Sequence, residues 1–152
     1  MQYVWFSLFF MLIHTVSYFT AGVVALKISK DIYEGKSRLM DYHRDMKNEE
    51  ESLHVKKWFF PAQLLRGLLM SLVLYPLLPI LGEIAFTGRF AFFFGLMFMY
   101  THLTSAAPCP DNIEGAVYLK SRFFKASSFF KFQFEMVFYS SLFGAGAGLL
   151  LF

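Results

Sequence analysis

The chain has 152 residues, of which 57% are hydrophobic, 20% aromatic and only 16% charged. Soluble domains carry about 25% charged residues, and a chain this short buries only about 70% of its unfolded surface. Its 21 phenylalanines therefore overfill one small soluble core, and the same composition excludes a disordered chain.

The single cysteine, Cys109, excludes an internal disulfide, a CxxC redox pair and a cysteine-rich zinc site. The net charge of +3 is not a nucleic-acid footprint, because the eight Lys/Arg between positions 27 and 57 face seven Asp/Glu there. Phosphate-backbone binding needs clustered excess positive charge. The expectation is an all-α integral membrane protein, a four-helix transmembrane bundle forming a single domain.

In chain order, residues 1–26 are uncharged and long enough to span a bilayer, which takes about 20 apolar residues. They lack the basic start and the small-residue cleavage site of a signal peptide, so they read as a retained first span. Residues 27–57 form a charged segment. Lys27/Asp31, Lys30/Glu34, Glu34/Arg38 and Lys47/Glu51 are opposite charges at i,i+4 spacing. With the apolar stripe of Ile28, Ile32, Leu39 and Met46, they predict that the first helix runs on into the cytoplasm, to Lys47.

Residues 58–82 are the second span, interrupted by Pro76 and Pro79. Residues 86–107 are the third, stopped by Pro108 and Pro110. Residues 108–128 mix Lys and Arg with aromatics and predict a short interfacial helix, N-capped by Asp111 or Asn112. Residues 129–152 are the fourth span. The basic residues fall in 27–57 and 108–131, which places both connections in the cytoplasm and both termini outside.

An ionisable side chain inside a bilayer costs several kcal/mol unless it meets a partner or water, so it marks a candidate site. Counting at about 1.5 Å per residue, Arg66, His102 and Glu135 fall in one layer on the cytoplasmic side of three different spans, and His14 lies near the middle of the first. Gln63, one turn from Arg66, extends that layer. His14 shares a face with Ser7, Met11, Tyr18 and Ala21, and His102 with Ala91, Gly95 and Ser105. Small residues mark close helix approach, so both imidazoles are expected to look inward. The candidate ligand-binding set is Arg66, His102, Glu135, Gln63, His14, Tyr18 and, from the loop below, Glu114. Glu83 and Arg89 read as anchors at the outer turn.

On the fourth span, Glu135 shares a face with Tyr139 and Gly146, while Ser140, Gly144 and Gly148 form a second stripe. One neighbour is expected on each face.

Cofactor readings are weak. Bis-His haem needs two histidines at equal depth, and His14 and His102 differ by roughly 7 Å on standard rise. His102, Glu135 and Glu114 lack an HxxxH or ExxH spacing, so no metal site is assigned.

Two functions remain open. One is binding or passing a small ligand or proton at the polar layer, alone, as a homo-oligomer, or within a larger membrane assembly. The other is an enzyme on a lipid or amphipathic substrate, with His102 as general base, Arg66 on an anionic head group and Glu135 orienting the imidazole.

Overall fold

The computed structural model describes residues 1–152, and it contains helices and no strands. The helices are α1 (Gln2–Ile28), α2 (Lys30–Tyr33), α3 (Glu49–Val73), α4 (Leu78–Glu83), α5 (Phe86–Gly95), α6 (Ile113–Tyr118) and α7 (Ala126–Leu150). A π-helical stretch, Leu96–Leu103, continues α5. Packing runs in the order α3–α1–α7–α5, with α1 and α7 in the centre.

The four-span expectation is met only in part. One helix, α1, is by itself long and apolar enough to cross a membrane. The pair α3 and Tyr75–Glu83 passes the same test jointly across a 50° bend. That bend lies where the prolines are expected to act: Pro76 and Pro79 each sit in the first turn of a new short helix, where a missing N–H breaks no intrahelical bond.

The first helix does not extend to Lys47. It ends at Ile28, and α2 adds one turn before the chain leaves helix altogether. Gly35 adopts φ +87°, a left-handed conformation that glycine takes without strain. The charges spaced to pair along a helix close a loop instead. Asp45 accepts hydrogen bonds from the Gly35 and Lys47 amides at 2.8 and 2.9 Å and pairs with Arg38 at 3.6 Å. Arg38 in turn donates to the carbonyls of Gly35, Asp41 and His43. Ile32, Leu39 and Met40 fold this loop against Phe132 of α7.

Helix α3 starts nine residues before the expected span. Asn48 caps it, accepting from the Glu51 amide at 3.0 Å. Glu49, Glu50 and Glu51 in the first turn complement the positive end of the helix dipole. The short helix expected before the last span forms as α6, capped by Asn112.

Backbones approach closely where the chain is smallest. A Cβ on Gly144 would lie 3.2 Å from Phe90 O and Phe94 N of α5, and one on Gly67 would lie 2.9 Å from Met11 Cα of α1. Helix α7 does use two faces: Gly144 and Gly148 meet α5, while Gly146 meets Ile13 of α1. Arg89 is more than an anchor, because it donates to the Ile84, Gly148 and Phe152 carbonyls and ties down the end of α7.

Two outcomes check this architecture. Gly144→Ala is expected to destabilise the protein by about 1–3 kcal/mol, since neither contacted backbone atom can yield. Gly22→Ala, which meets open space, is expected to stabilise it by about 0.5–1 kcal/mol through helix propensity. Thermal melts in detergent read both, and equal melting shifts in one direction would remove the packing claim.

The loop gives a pH test. The two backbone amides hold the Asp45 carboxyl below its usual range. A depressed carboxylate contributes stability above its unfolded pKa of about 3.9 and loses it as pH falls through the lower folded value. The Gly35 and Lys47 amide resonances are therefore expected to titrate together with a midpoint below about 3.9. A midpoint at or above that value would contradict the loop geometry.

Candidate functional site

A line of polar side chains crosses the largely apolar interior of the bundle. His14 is fully buried on α1. Its Nδ1 lies 2.7 Å from the Tyr139 hydroxyl of α7, and its Nε2 lies 3.2 Å from Gln63 Oε1 of α3. Tyr139 Oη lies 3.2 Å from Met97 Sδ in the π-helical stretch. One chain, Gln63–His14–Tyr139–Met97, thus takes one side chain from each long helix. Gln63 Oε1 can only accept, so His14 Nε2 carries the proton. Nδ1 then accepts from the Tyr139 hydroxyl, and the Met97 thioether packs against the phenol oxygen.

Tyr18 lies one turn along α1, its ring centroid 5.9 Å from that of His14. The Arg66 guanidinium sits 5.5 Å from the Tyr18 centroid, within cation–π range. Arg66 and Glu135 do not form an ion pair; the four pairs in the structure involve other residues. Glu135 instead accepts from the Tyr33 hydroxyl at 3.0 Å. Burial and the Glu135 charge push the Tyr33 phenol up, which keeps it a donor.

His102 is buried but does not touch Glu135. Its Nδ1 lies 3.5 Å from Asp111 Oδ2, and its Nε2 lies 3.4 Å from Gln133 Oε1. Gln133 also donates to the Asp111 carbonyl at 2.7 Å. Burial pushes the Asp111 carboxyl up, opposed by His102. Asn112 sets the loop that presents Asp111: its side-chain oxygen accepts from the Gly115 and Cys109 amides, and its Nδ2 donates to Ala107 O. Glu114 makes no side-chain hydrogen bond or ion pair, in contrast to its neighbours in this loop.

The face expected to carry His102 inward is not the packing face. Ala91 is exposed and a Cβ on Gly95 would meet nothing. The π-helical stretch explains the difference. Each residue it inserts rotates the downstream part of the helix by about 100° relative to a regular helix. Met97 keeps the regular phase of Phe93, four residues before it, and His102, five residues after Met97, turns inward on the shifted one.

Three groups are not evident from the sequence. Helical phase places Tyr139 on the right face but does not pair it with His14. The position of Asp111 reads only as a cap. Ser7, Ser71 and Tyr75 form a separate polar contact near the other end, with Ser7 Oγ 2.6 Å from Ser71 Oγ and 2.8 Å from Tyr75 Oη. Between that contact and His14 lies a layer of aromatic rings. Phe10, Phe93 and Phe143 are fully buried, with centroids 5.0 to 6.3 Å apart.

Comparison with known proteins finds no match among family models, curated proteins or solved structures.

The His14–Tyr139 contact is testable by a double-mutant cycle. Tyr139→Phe strands Nδ1 of a buried imidazole, at a cost of about 1–3 kcal/mol. His14→Leu is expected to cost a similar amount, with a coupling between the two of about 0.5–3 kcal/mol. Additive losses in thermal stability would dissolve the chain that joins the helices.

Proposed function

We propose that this chain is a membrane-embedded four-helix protein that binds a small polar ligand, or a proton, in the layer of Arg66, Tyr18 and Glu135. The observation that carries the reading is the apolar exterior around a core that also holds polar side chains. Thirty-four large hydrophobic side chains are exposed and only 16 hydrophobic residues are buried. Ser7, His14, Thr15, Ser17, Ser71, His102, Ser128 and Ser140 are among the buried residues. A lipid solvent favours this arrangement, since apolar tails cover the outside and helices associate through small and polar contacts.

The charges support the same placement. Lys27, Lys30, Lys56, Lys57, Lys120, Arg122, Lys125 and Lys131 all sit at the end of the bundle where α1 stops and α3 and α7 start. On the positive-inside rule that end is cytoplasmic and both termini are outside.

Arg66 and Glu135 are the argument for a ligand. Each is half-buried and neither neutralises the other. A small molecule offering an acceptor to Arg66 and a donor to Glu135 satisfies both; a proton satisfies only Glu135. The ring layer of Phe10, Phe93 and Phe143 blocks the far side, so the layer is reached from the basic end. That favours one-sided binding over free conduction.

An enzymatic reading has one specific observation in its favour, the Asp111–His102 contact. It moves the orienting carboxylate from Glu135 to Asp111, the usual partner arrangement for an imidazole base. No nucleophile is hydrogen-bonded to His102.

Native mass spectrometry of the detergent-purified protein tests the proposal and reads oligomeric state at once. A co-purifying small molecule is expected in the wild type and absent from Arg66→Met and Glu135→Gln. Equal retention in both variants would remove the layer as the site. On a Cys109→Ser background, Lys47→Cys is expected to label only from the cytoplasmic side and Phe152→Cys only from outside; the reverse pattern would overturn the orientation.

A further inference from the structure

Where the 34–41 loop meets the start of α7 there is a cleft of about 210 Å³. Its walls carry Lys36, Arg38, Arg122 and Lys125 against a single acid, Asp41. Four cations around one small space repel one another, and the structure neutralises only one of them well. Arg38 is committed to the loop carbonyls and to Asp45 at 3.6 Å. Arg122 makes one long contact to Asp41 at 3.7 Å and rests over the Phe123 ring at 4.4 Å. Its side chain stays 65% exposed, so the guanidinium fork is open to another acceptor. Lys36 and Lys125 have neither a side-chain hydrogen bond nor an ion pair.

We propose that this cleft binds a phosphate-bearing group, either the headgroup of an anionic phospholipid or a soluble phosphate ester. Arg122 supplies a planar fork that matches two phosphate oxygens, and Lys36 and Lys125 supply point charges beside it. The volume takes a phosphate and a few attached atoms; it falls below the roughly 300 Å³ at which pockets for larger organic ligands begin. The surroundings suit a headgroup. Ile113, Val117 and Tyr118 of α6 and Phe130 of α7 are exposed apolar side chains in the same 113–130 stretch of chain as Arg122 and Lys125. A stretch of chain that mixes exposed apolar side chains with cations has the composition of an interfacial contact. The site is separate from the Arg66–Glu135 layer and holds whether or not that layer binds a ligand.

The test uses the full-length protein. Native mass spectrometry after incubation with equal amounts of phosphatidate and phosphatidylcholine is the lipid arm. Titration with inorganic phosphate, read by thermal shift, is the soluble arm. Wild type is expected to retain phosphatidate in preference to phosphatidylcholine. The combined Lys36→Gln, Arg122→Gln and Lys125→Gln variant is expected to lose that preference on the order of 100-fold, from three cations near an anionic surface. Asp41→Asn removes the one acid and is expected to tighten binding.

A thermal shift with inorganic phosphate that the triple variant lacks identifies the soluble source. Phosphatidate selectivity without such a shift identifies the lipid. If the triple variant matches wild type in both arms, or wild type responds in neither, the cleft is not a phosphate site. A wild type that stays soluble without detergent would contradict the membrane reading and leave the phosphate arm readable.

Discussion

The hydrogen bond between His14 and Tyr139, 2.7 Å long and fully buried, is where the four long helices meet. It fixes the rotation of α1 against α7. Through Gln63 it fixes α3, and through Met97 it fixes the π-helical continuation of α5. Rotating α1, α3 or α7 by a residue strands a polar group of this chain in the interior, where it costs far more than the bond itself contributes. The contact therefore specifies a single arrangement more than it adds stability. Backbone approach at Gly67 and Gly144 sets the spacing within which it forms.

The two ends of the interior differ in kind. Toward the basic end, Arg66 rests over the Tyr18 ring, Glu135 accepts from Tyr33, and His102 meets Asp111. Toward the other end, the rings of Phe10, Phe93 and Phe143 close the interior before the Ser7–Ser71–Tyr75 contact begins. Loops built by Asp45 and Asn112, each collecting several backbone amides or carbonyls, hold the basic end in shape. The proposed binding layer and the proposed phosphate cleft both belong to this end, one inside the bundle and one on its rim.

Much of the framework is legible in the sequence because apolar runs and prolines report on long helices directly. Helix α7 starts three residues before its expected span and ends two residues before its limit, and the break at Pro76 and Pro79 falls where those prolines place it. The two faces of α7 follow from helical phase alone. The departures have local causes. The 27–57 segment has helical charge spacing, but Gly35 at positive φ and the capping competition of Asp45 favour a closed loop. The expected inward face of His102 assumes a regular helix, and the π-helical stretch shifts that phase. Shared depth groups Arg66, His102 and Glu135; depth says nothing about rotation, and the partners they take are Tyr18, Asp111 and Tyr33 instead. Asp111 reaches His102 only because Asn112 folds the loop back, which no spacing in the sequence encodes.

The central claim is that lipid covers the apolar exterior while a polar layer is enclosed within. Spin labels at Val16, exposed midway along α1, and at Leu69, exposed near the centre of the apolar 58–82 segment, test it most directly in reconstituted vesicles on a Cys109→Ser background. Lipid coverage predicts that both labels are relaxed by dissolved oxygen and shielded from a water-soluble nickel chelate, while a label at Lys47 shows the reverse. Labels at Val16 and Leu69 as accessible to the chelate as the one at Lys47 would contradict it.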